Sequence, residues 1–307
     1  MSRLTLVVNP AATGVGAELR TKVVDALSAD HTLSVVETAR RGDATALAAA
    51  AAADGVEVVV SLGGDGTANE AANGLAGTTT ALVALPGGST NVFSRTVGFP
   101  NDPLEAVGVL LTALSGGARR RVGLGSANGR RFLFHAGIGF DARVIQLVER
   151  HAWAKRTVGP LAFAGAAAAV WLGSRDHAAF AVEVGDETIG GRFAVCLNTD
   201  PYTYLGDRPL TMAPEAGLDQ PLALVVLRDI GLTTLLPALC SALHDSSRLR
   251  KLEGVEVRTG LDRAVITAGA PVGHQVDGDF LGETDCLEIR HEPDGLHLVV
   301  PADAGLR

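Results

Sequence analysis

The sequence predicts an α/β N-terminal domain, a parallel sheet flanked by helices, followed by a β-rich, β-sandwich-like C-terminal domain. Three observations carry that expectation. Residues 4–8, 56–62 and 81–85 are short, nearly unbroken apolar runs, as strands buried on both faces would be. Each is followed by a turn rich in Gly, Asn or Pro, and helix-like pieces alternate with the strand-like ones through residue 122, a pattern that makes a parallel sheet with helices on both faces. After Arg121 the texture changes to short strand-like segments punctuated by turns.

In chain order, residues 4–8 read as the first strand and 17–27 as a helix, then 33–37 as a strand. The alanine run 43–53 is the best helix former available, with Asp43 placed to cap it. Strand 56–62 leads through Gly63-Gly64-Asp65-Gly66-Thr67 into helix 68–75, and strand 81–85 leads into Pro86-Gly87-Gly88-Ser89-Thr90-Asn91. Helix 102–114 ends at Gly116-Gly117. Beyond it, 122–126, 131–136, 180–184, 192–198, 221–227, 255–259 and 264–268 read as strands. Helical patches at 143–150, continuing into 161–172, and at 232–241 interrupt them, and a last strand at 296–300 returns to the first domain.

The turn at 63–67 is the most informative feature. Glycines let a backbone adopt positive φ and let a ligand come close, and a helix N-terminus aims N–H groups and a positive dipole end at whatever sits there. The ligand such a turn suits is a phosphate chain. Asp65 is negative like a phosphate, so it makes sense with Mg²⁺ or ordered water between them, and Thr67 adds a hydroxyl. A glycine turn from strand to helix is also a common structural joint in α/β proteins. No Gly-Lys-Ser/Thr follows, so this is not a Walker A loop. Gly137-Ile138-Gly139-Phe140-Asp141-Ala142 fits a dinucleotide fingerprint, but no acidic residue follows at the distance a ribose needs, and the match is set aside as chance. The turns at 86–91 and at Asn9-Pro10-Ala11-Ala12-Thr13-Gly14 share the chemistry of the first. Three such junctions fit one parallel sheet whose strand ends lie together, where ligands of α/β sheets bind.

Composition excludes some classes. The chain has 307 residues and a net charge of −8, which argues against nucleic acid as a partner. Only 4% of residues are aromatic while 47% are hydrophobic, so the core must be mostly Ala, Val and Leu. Cys196, Cys240 and Cys286 show neither metal spacing nor an even count for disulfides, and a reducing cytoplasm is the default. Arg119-Arg120-Arg121, Arg130-Arg131 and Lys155-Arg156 are local basic clusters, either solvated surface or contacts to lipid headgroups. No signal peptide is visible at the N-terminus. The apolar stretch 158–173 falls short of the ~20 residues a membrane span needs. It reads as a packed helix, or as a helix lining an acyl-chain entry with Trp153 and Trp171 near the interface.

The ordered set of motifs resembles the bacterial diacylglycerol kinase-like lipid kinases, relatives of the sphingosine kinases with an NAD kinase-like N-terminal domain. The matching pieces are Asn9-Pro10…Gly14, Thr38 with Gly42-Asp43-Ala44, Gly63 to Thr67 with Asn69-Glu70, and Leu85-Pro86-Gly87-Gly88-Ser89-Thr90-Asn91. Gly139-Phe140-Asp141, Ala213-Pro214-x-Ala216 and Gln275-Val276-Asp277-Gly278-Asp279 complete the set. The resemblance implies an ATP-binding domain at 1–122, a lipid-substrate domain at 123–290, return of 291–307 to the first, and an active-site cleft between them. It implies that Asn9, Pro10, Thr13, Gly14, Thr38, Gly63, Gly64, Asp65, Gly66, Thr67, Asn69, Glu70, Gly88, Ser89, Thr90 and Asn91 hold the nucleotide. It implies an ATP-linked Mg²⁺ near Asp65, which also counts as catalytic.

The family's base is the Glu of an Asp-Gly-Glu sequence, here replaced by Asp279, one methylene shorter with the charge kept. Taken alone, Asp277-Gly278-Asp279 reads as a hairpin turn. A remote structural Mg²⁺ would fall to Asp219, since the family's Asp-Gly pair reads Gln220-Pro221 here. The implied activity is transfer of the γ-phosphoryl of ATP to a lipid hydroxyl. The implied partners are ATP, a lipid and transiently the inner face of the membrane, with a homodimer left open. An NAD kinase and a catalytically silent lipid- or nucleotide-binding protein are the alternatives.

Overall fold

The computed structural model describes residues 1–150 and 179–301. The expected helix 161–172, the apolar stretch 158–173, Trp153, Trp171 and Lys155-Arg156 lie outside the described residues. The described chain forms two units, one from Met1–Leu124 with the residues from Pro293 on, the other from Gly125–Glu292.

The first unit is the expected α/β layer structure. Strands β1 (Arg3–Val8), β2 (Thr32–Glu37), β3 (Val58–Gly63) and β4 (Ala81–Pro86) lie in the order β4-β3-β1-β2, all parallel. Every residue of β3 and β4 is buried, which is why both read as unbroken apolar runs. The end of the last strand, β16 (Asp279–Val299), adds a further parallel neighbour, with His297 and Leu298 opposite Ala81 and Leu82. Helices α1 (Ala17–Ser28), α2 (Asp43–Ala53), α3 (Asp65–Leu75), α4 (Val92–Thr96) and α5 (Pro103–Gly116) connect the strands. Asp102 caps α5 by accepting from the Leu104 and Glu105 amides at 2.9 and 3.0 Å, and Gly117 ends it at φ 67°.

Two expectations change. Helix α3 begins at Asp65 rather than 68, so Gly66 and Thr67 belong to its first turn. Asp43 does not cap α2, because it is the first residue of that helix and its carboxylate accepts from Ala39 and Arg40 in the preceding turn. The α2 amides are met instead by Glu70 of α3, whose buried carboxylate accepts from Gly42 and Ala44 at 2.8 and 3.2 Å. A negative charge at a helix N-terminus is favourable on both counts, hydrogen bonding and dipole.

The second unit is β-rich. Strands β7 (His135–Gly139), β10 (Phe193–Leu197), β13 (Leu222–Leu227), β14 (Val255–Leu261), β15 (Arg263–Val276) and the first part of β16 pair antiparallel in the order β14-β13-β10-β7-β15-β16. The hairpin β8 (Phe180–Val184) and β9 (Glu187–Gly191) extends from β15, and β5 (Arg119–Ala127) pairs with β6 (Arg130–Phe132). Side chains alternate between two cores. Phe193, Val195 and Leu197 face one with Phe140 of α6 (Phe140–Arg150) and with Ala238 and Ala242 of the helix Leu232–His244. Ala194 and Cys196 face the other with Phe132, Phe180, Val182 and Leu287. Both faces are therefore apolar, and the strands read as continuous runs rather than alternating ones. A short pair, β11 (Thr203–Leu205) with β12 (Arg208–Leu210), stands apart from the sheet.

Candidate functional site

The α/β unit brings its three turns together at the carboxyl ends of β1, β3 and β4, with backbone meeting backbone. The Gly87 amide donates to the Gly63 carbonyl at 2.8 Å, and the Gly14 amide donates to the Gly87 carbonyl at 2.9 Å. The glycines serve close approach and not unusual φ, since none of Gly14, Gly63, Gly64, Gly66, Gly87 and Gly88 is left-handed. A Cβ on Gly87 would lie 2.9 Å from the Gly63 nitrogen, one on Gly88 would lie 2.8 Å from the Gly64 Cα, and one on Gly14 would lie 3.0 Å from the Gly87 carbonyl oxygen. A Cβ on Gly63 would stand 2.6 Å from Thr67 Oγ1. The left-handed residue is Asn91, at φ 52°.

Side chains tie the turns further. Asn9 Nδ2 donates to Thr67 Oγ1 at 3.0 Å, so the Thr67 hydroxyl is buried and partnered within the fold. Asn91 accepts from the Gly88 amide at 2.8 Å and donates back to its carbonyl at 3.1 Å, clamping the 86–91 turn. Asp65 accepts from the Val92 and Phe93 amides, both at 3.0 Å, and so joins the start of α3 to the start of α4. Thr38 follows β2, with its amide on the Val8 carbonyl at 2.9 Å. Pro10, Thr13, Gly14 and Ser89 are exposed, while Thr38, Gly64, Asp65, Gly66, Gly88 and Thr90 are half-buried. Asn69 and Glu70 are buried on the inner face of α3.

The β-rich unit carries Asp279 directly after a tight hairpin. Val276 pairs with Asp279, and the two residues between them, Asp277 and Gly278, take φ 48° and 80°, the conformation that favours Asp-Gly in two-residue hairpins. The segment is therefore the hairpin that its Asp-Gly dipeptide reads as, and it sets a half-buried Asp279 at the head of β16. The Asp277 carboxylate is structural, accepting from the amides of Leu133, Phe134 and His135 at 2.7, 3.0 and 3.0 Å.

Behind the hairpin lies a polar cluster that joins Gln275 and Asp141, each from a motif of the resemblance, to His135 and Tyr202, which no motif announced. Gln275 donates from Nε2 to Asp141 Oδ2 at 2.6 Å and to His135 Nδ1 at 3.0 Å. The Tyr202 hydroxyl donates to Asp141 Oδ1, and its ring stacks on His135 at 4.4 Å. Burial pushes the Asp141 carboxyl up from its ordinary value, against the hydrogen bonds from Tyr202 and Gln275. Burial likewise depresses His135 to about 3, which keeps it neutral and leaves Nδ1 able to accept. Gly137 and Gly139, the pair that mimicked a dinucleotide fingerprint, sit in β7 for other reasons. A Cβ on Gly137 would lie 2.0 Å from Asp141 Oδ2, and Gly139 takes φ 86° with its Cβ position 2.4 Å from the Arg192 carbonyl oxygen.

Comparison with known proteins fits this layout. Residues 3–127 match the diacylglycerol kinase catalytic domain. The chain's N-terminal region is homologous to that domain. A protein of Pseudomonas putida named "Probable lipid kinase YegS-like" is 29% identical over 94% of this chain and 92% of its own length. A protein of the same name from Chromohalobacter salexigens is 37% identical over 41% of each chain. A diacylglycerol kinase of Staphylococcus aureus is 33% identical over 52% of this chain and 50% of its own length. The alignments thus span half or less of two of these three relatives. In fold, a crystal structure of a diacylglycerol kinase from Bacillus anthracis superposes with a TM-score of 0.72 at 22% identity, covering 99% of this chain and 98% of that one. An NAD kinase from Archaeoglobus fulgidus in complex with ATP gives 0.55 at 11% identity, covering 98% and 95%.

Measured against the diacylglycerol kinase motifs, several residues turn out to hold the fold. Ala213-Pro214-x-Ala216 forms a turn whose Met212 and Ala213 amides are held by the half-buried Asp200 carboxylate at 2.8 and 3.1 Å. Asp219 is exposed, and among the described residues no group of three or more His, Cys, Asp or Glu side chains could hold a metal. Two of the basic clusters have internal partners: Arg119 reaches Glu57, Arg121 reaches the Asp294 carbonyl, and Arg131 reaches Glu292 at 2.6 Å. Among the described residues no helix is long and apolar enough to cross a membrane.

Proposed function

We propose that the protein is an ATP-dependent lipid kinase that transfers the γ-phosphoryl group of Mg-ATP to a hydroxyl of diacylglycerol or a related glycerolipid. The observation that carries this reading is the convergence of three glycine turns at neighbouring parallel strand ends, locked by the Gly87–Gly63 and Gly14–Gly87 hydrogen bonds. Phosphoryl transfer asks for positioning and charge neutralisation more than covalent chemistry, and clustered loop amides beside a helix N-terminus supply both for a triphosphate. In this reading the α/β unit is the nucleotide-holding domain. Asn9, Pro10, Thr13, Gly14, Thr38, Gly63 to Thr67 and Gly88 to Thr90 surround the nucleotide, while Asn69, Glu70 and Asn91 keep those turns in shape from within.

A Mg²⁺ that arrives with ATP needs only one or two protein carboxylates beside phosphate oxygens and water. Asp65, at the head of α3 beside the start of α4, is the carboxylate that would hold it. The ion would supply positive charge against the triphosphate. Asp219 takes no step. The β-rich unit is assigned to the lipid acceptor. The Asp279 carboxylate orients the lipid hydroxyl and takes its proton as the lipid oxygen bonds the γ-phosphorus. The bond from that phosphorus to the β,γ-bridging oxygen breaks, and ADP leaves. The lipid acceptor places the working protein transiently at the cytoplasmic face of the membrane.

The test is purified protein with Mg-ATP and a panel of lipids, with NAD as a competing acceptor. Phosphorylated glycerolipid is the expected product, and phosphorylated NAD would favour the kinase whose fold it shares. Nucleotide binding without transfer to any acceptor would favour a silent binding protein. Asp279→Asn should lower kcat by about 10²–10⁴-fold, the worth of a positioned base, with ATP affinity nearly intact. Full turnover in that variant removes Asp279 from the mechanism.

A further inference from the structure

The hairpin that carries Asp279 is gripped from two sides, and the grips differ in kind. On one side Asp277 is fixed to the backbone at 133–135 by three hydrogen bonds. On the other, Gln275 accepts the Gly278 amide at 2.9 Å with the same side-chain amide that donates to Asp141 and His135. Gln275 is fully buried, at 0% exposure. Its orientation follows from its partners. Turning the amide over would set its oxygen against the Asp141 carboxylate and the His135 acceptor and lose the Gly278 N–H. A buried carboxylate is costly to keep, and the fold clears space for this one, since a side chain on Gly137 would enter the Asp141–Gln275 contact. Packing alone would be served as well by an apolar side chain.

We propose that Gln275 is a positioning residue: it links the buried Asp141 to the Gly278 amide, and through that amide fixes where the Asp279 carboxylate stands. Asp141 is in turn fixed by Tyr202 and by the first turn of α6. The hairpin is thereby referenced to a helix and to the loop at 202 as well as to its own sheet. Asp is one methylene shorter than Glu, so Asp279 has less reach to correct a misplaced backbone. A displacement on the order of 1 Å can cost about 10²-fold in rate. The proposal rests on the lipid kinase reading, with Asp279 as the base.

The experiment compares wild type, Gln275→Met and Gln275→Glu, with kcat and KM for ATP measured on diacylglycerol in mixed micelles and amide exchange followed at Gly278. Gln275→Met keeps length and removes all three polar links. It should lower kcat by about 10–100-fold, leave KM for ATP unchanged, and speed exchange at Gly278. Gln275→Glu keeps an oxygen for Gly278 but, ionised, has nothing to donate to Asp141. Its kcat should recover as the pH is lowered, because the introduced carboxyl regains a donor when it is protonated. The titratable groups around it are Asp141 and His135, which it touches, Tyr202, which touches both, and Asp277 and Asp279 of the same hairpin.

A Met variant with wild-type kcat, or one that loses kcat and ATP affinity together, overturns the proposal, as does a Glu variant with the wild-type pH profile. Should Gln275→Met fail to fold, the Glu variant decides alone. If wild type phosphorylates no lipid, the kinase reading falls. The tether is then judged on exchange: faster exchange at Gly278 in Gln275→Met supports it, and unchanged exchange overturns it.

Discussion

The two units fix their chemistry by opposite means. In the α/β unit, geometry is set by main chain against main chain: three turns approach so closely that three glycines leave no room for a Cβ. In the β-rich unit, it is set by side chains, with buried Asp277, Gln275, Asp141 and His135 and half-buried Tyr202 holding one hairpin among them. A backbone cradle suits a ligand recognised by its charge and shape. A side-chain network suits a single functional group that must point in one direction.

If side chains control the second region, the largest loss should come from Asp277→Ala. It strips the acceptor from three buried amides, and each buried donor left unpaired costs about 1–3 kcal/mol. A loss of roughly 4 kcal/mol in chemical denaturation is expected, with Asp277→Asn recovering part of it. A loss near zero would mean that the hairpin is held by its strand pairing alone. If backbone contact controls the first region, Gly87→Ala should cost about 1–3 kcal/mol by overpacking. It should also weaken ATP-dependent thermal stabilisation, because its Cβ would meet the Gly63 nitrogen at 2.9 Å and Val15 at 2.8 Å. Gly108→Ala in α5 is the control. Nothing lies within 4 Å of its Cβ, so the variant should be stabilised by about 0.5–1 kcal/mol through helix propensity. Equal effects at Gly87 and Gly108 would break the contrast.

The same contrast governs what the sequence disclosed. Glycine turns after buried strands are contiguous, so the parallel sheet, its helices and the meeting of 9–14, 63–67 and 86–91 were legible in the order of residues. Their physical reason was not. Positive φ and the close approach of a ligand were the expectations, and the fold shows ordinary φ with close packing of turn on turn, because only the fold says that Gly87 faces Gly63. The cap of α2 was assigned to Asp43, its neighbour in sequence, whereas Glu70 does that work from 26 residues away at Ala44. In the β-rich unit, His135, Asp141, Tyr202 and Gln275 are separated by up to 140 residues. No periodicity joins them. Asp141 and Gln275 stood in motifs of the family resemblance with no role attached, His135 and Tyr202 carried no signal, and the spacing of Gly137 and Gly139 suggested a nucleotide motif instead. Asp-Gly at 277–278 was legible as a hairpin because its turn chemistry is local.

The last comparison tests the side-chain network by its protons. Gln275 can donate to His135 Nδ1 only while the ring is neutral. Burial holds the folded-state value near 3 against an ordinary 6.5. Below 6.5 the unfolded chain takes up a proton at His135 that the folded chain refuses. The stability this residue allows is therefore complete above that pH and is lost as pH falls toward the folded value, at about 1.4 kcal/mol per pH unit. Asp141 works the other way. Its raised value makes the folded chain hold a proton that the unfolded chain has released, which favours folding as pH falls. The two are separated by His135→Gln, in which the Asp141 contribution remains. The stability advantage of wild type over that variant should shrink by about 1.4 kcal/mol for each pH unit below the ordinary histidine value. An advantage independent of pH in that window would mean that His135 carries its proton inside the fold. Nδ1 would then be a donor, the Gln275 amide would have to turn over, and the Gly278 amide would lose its acceptor.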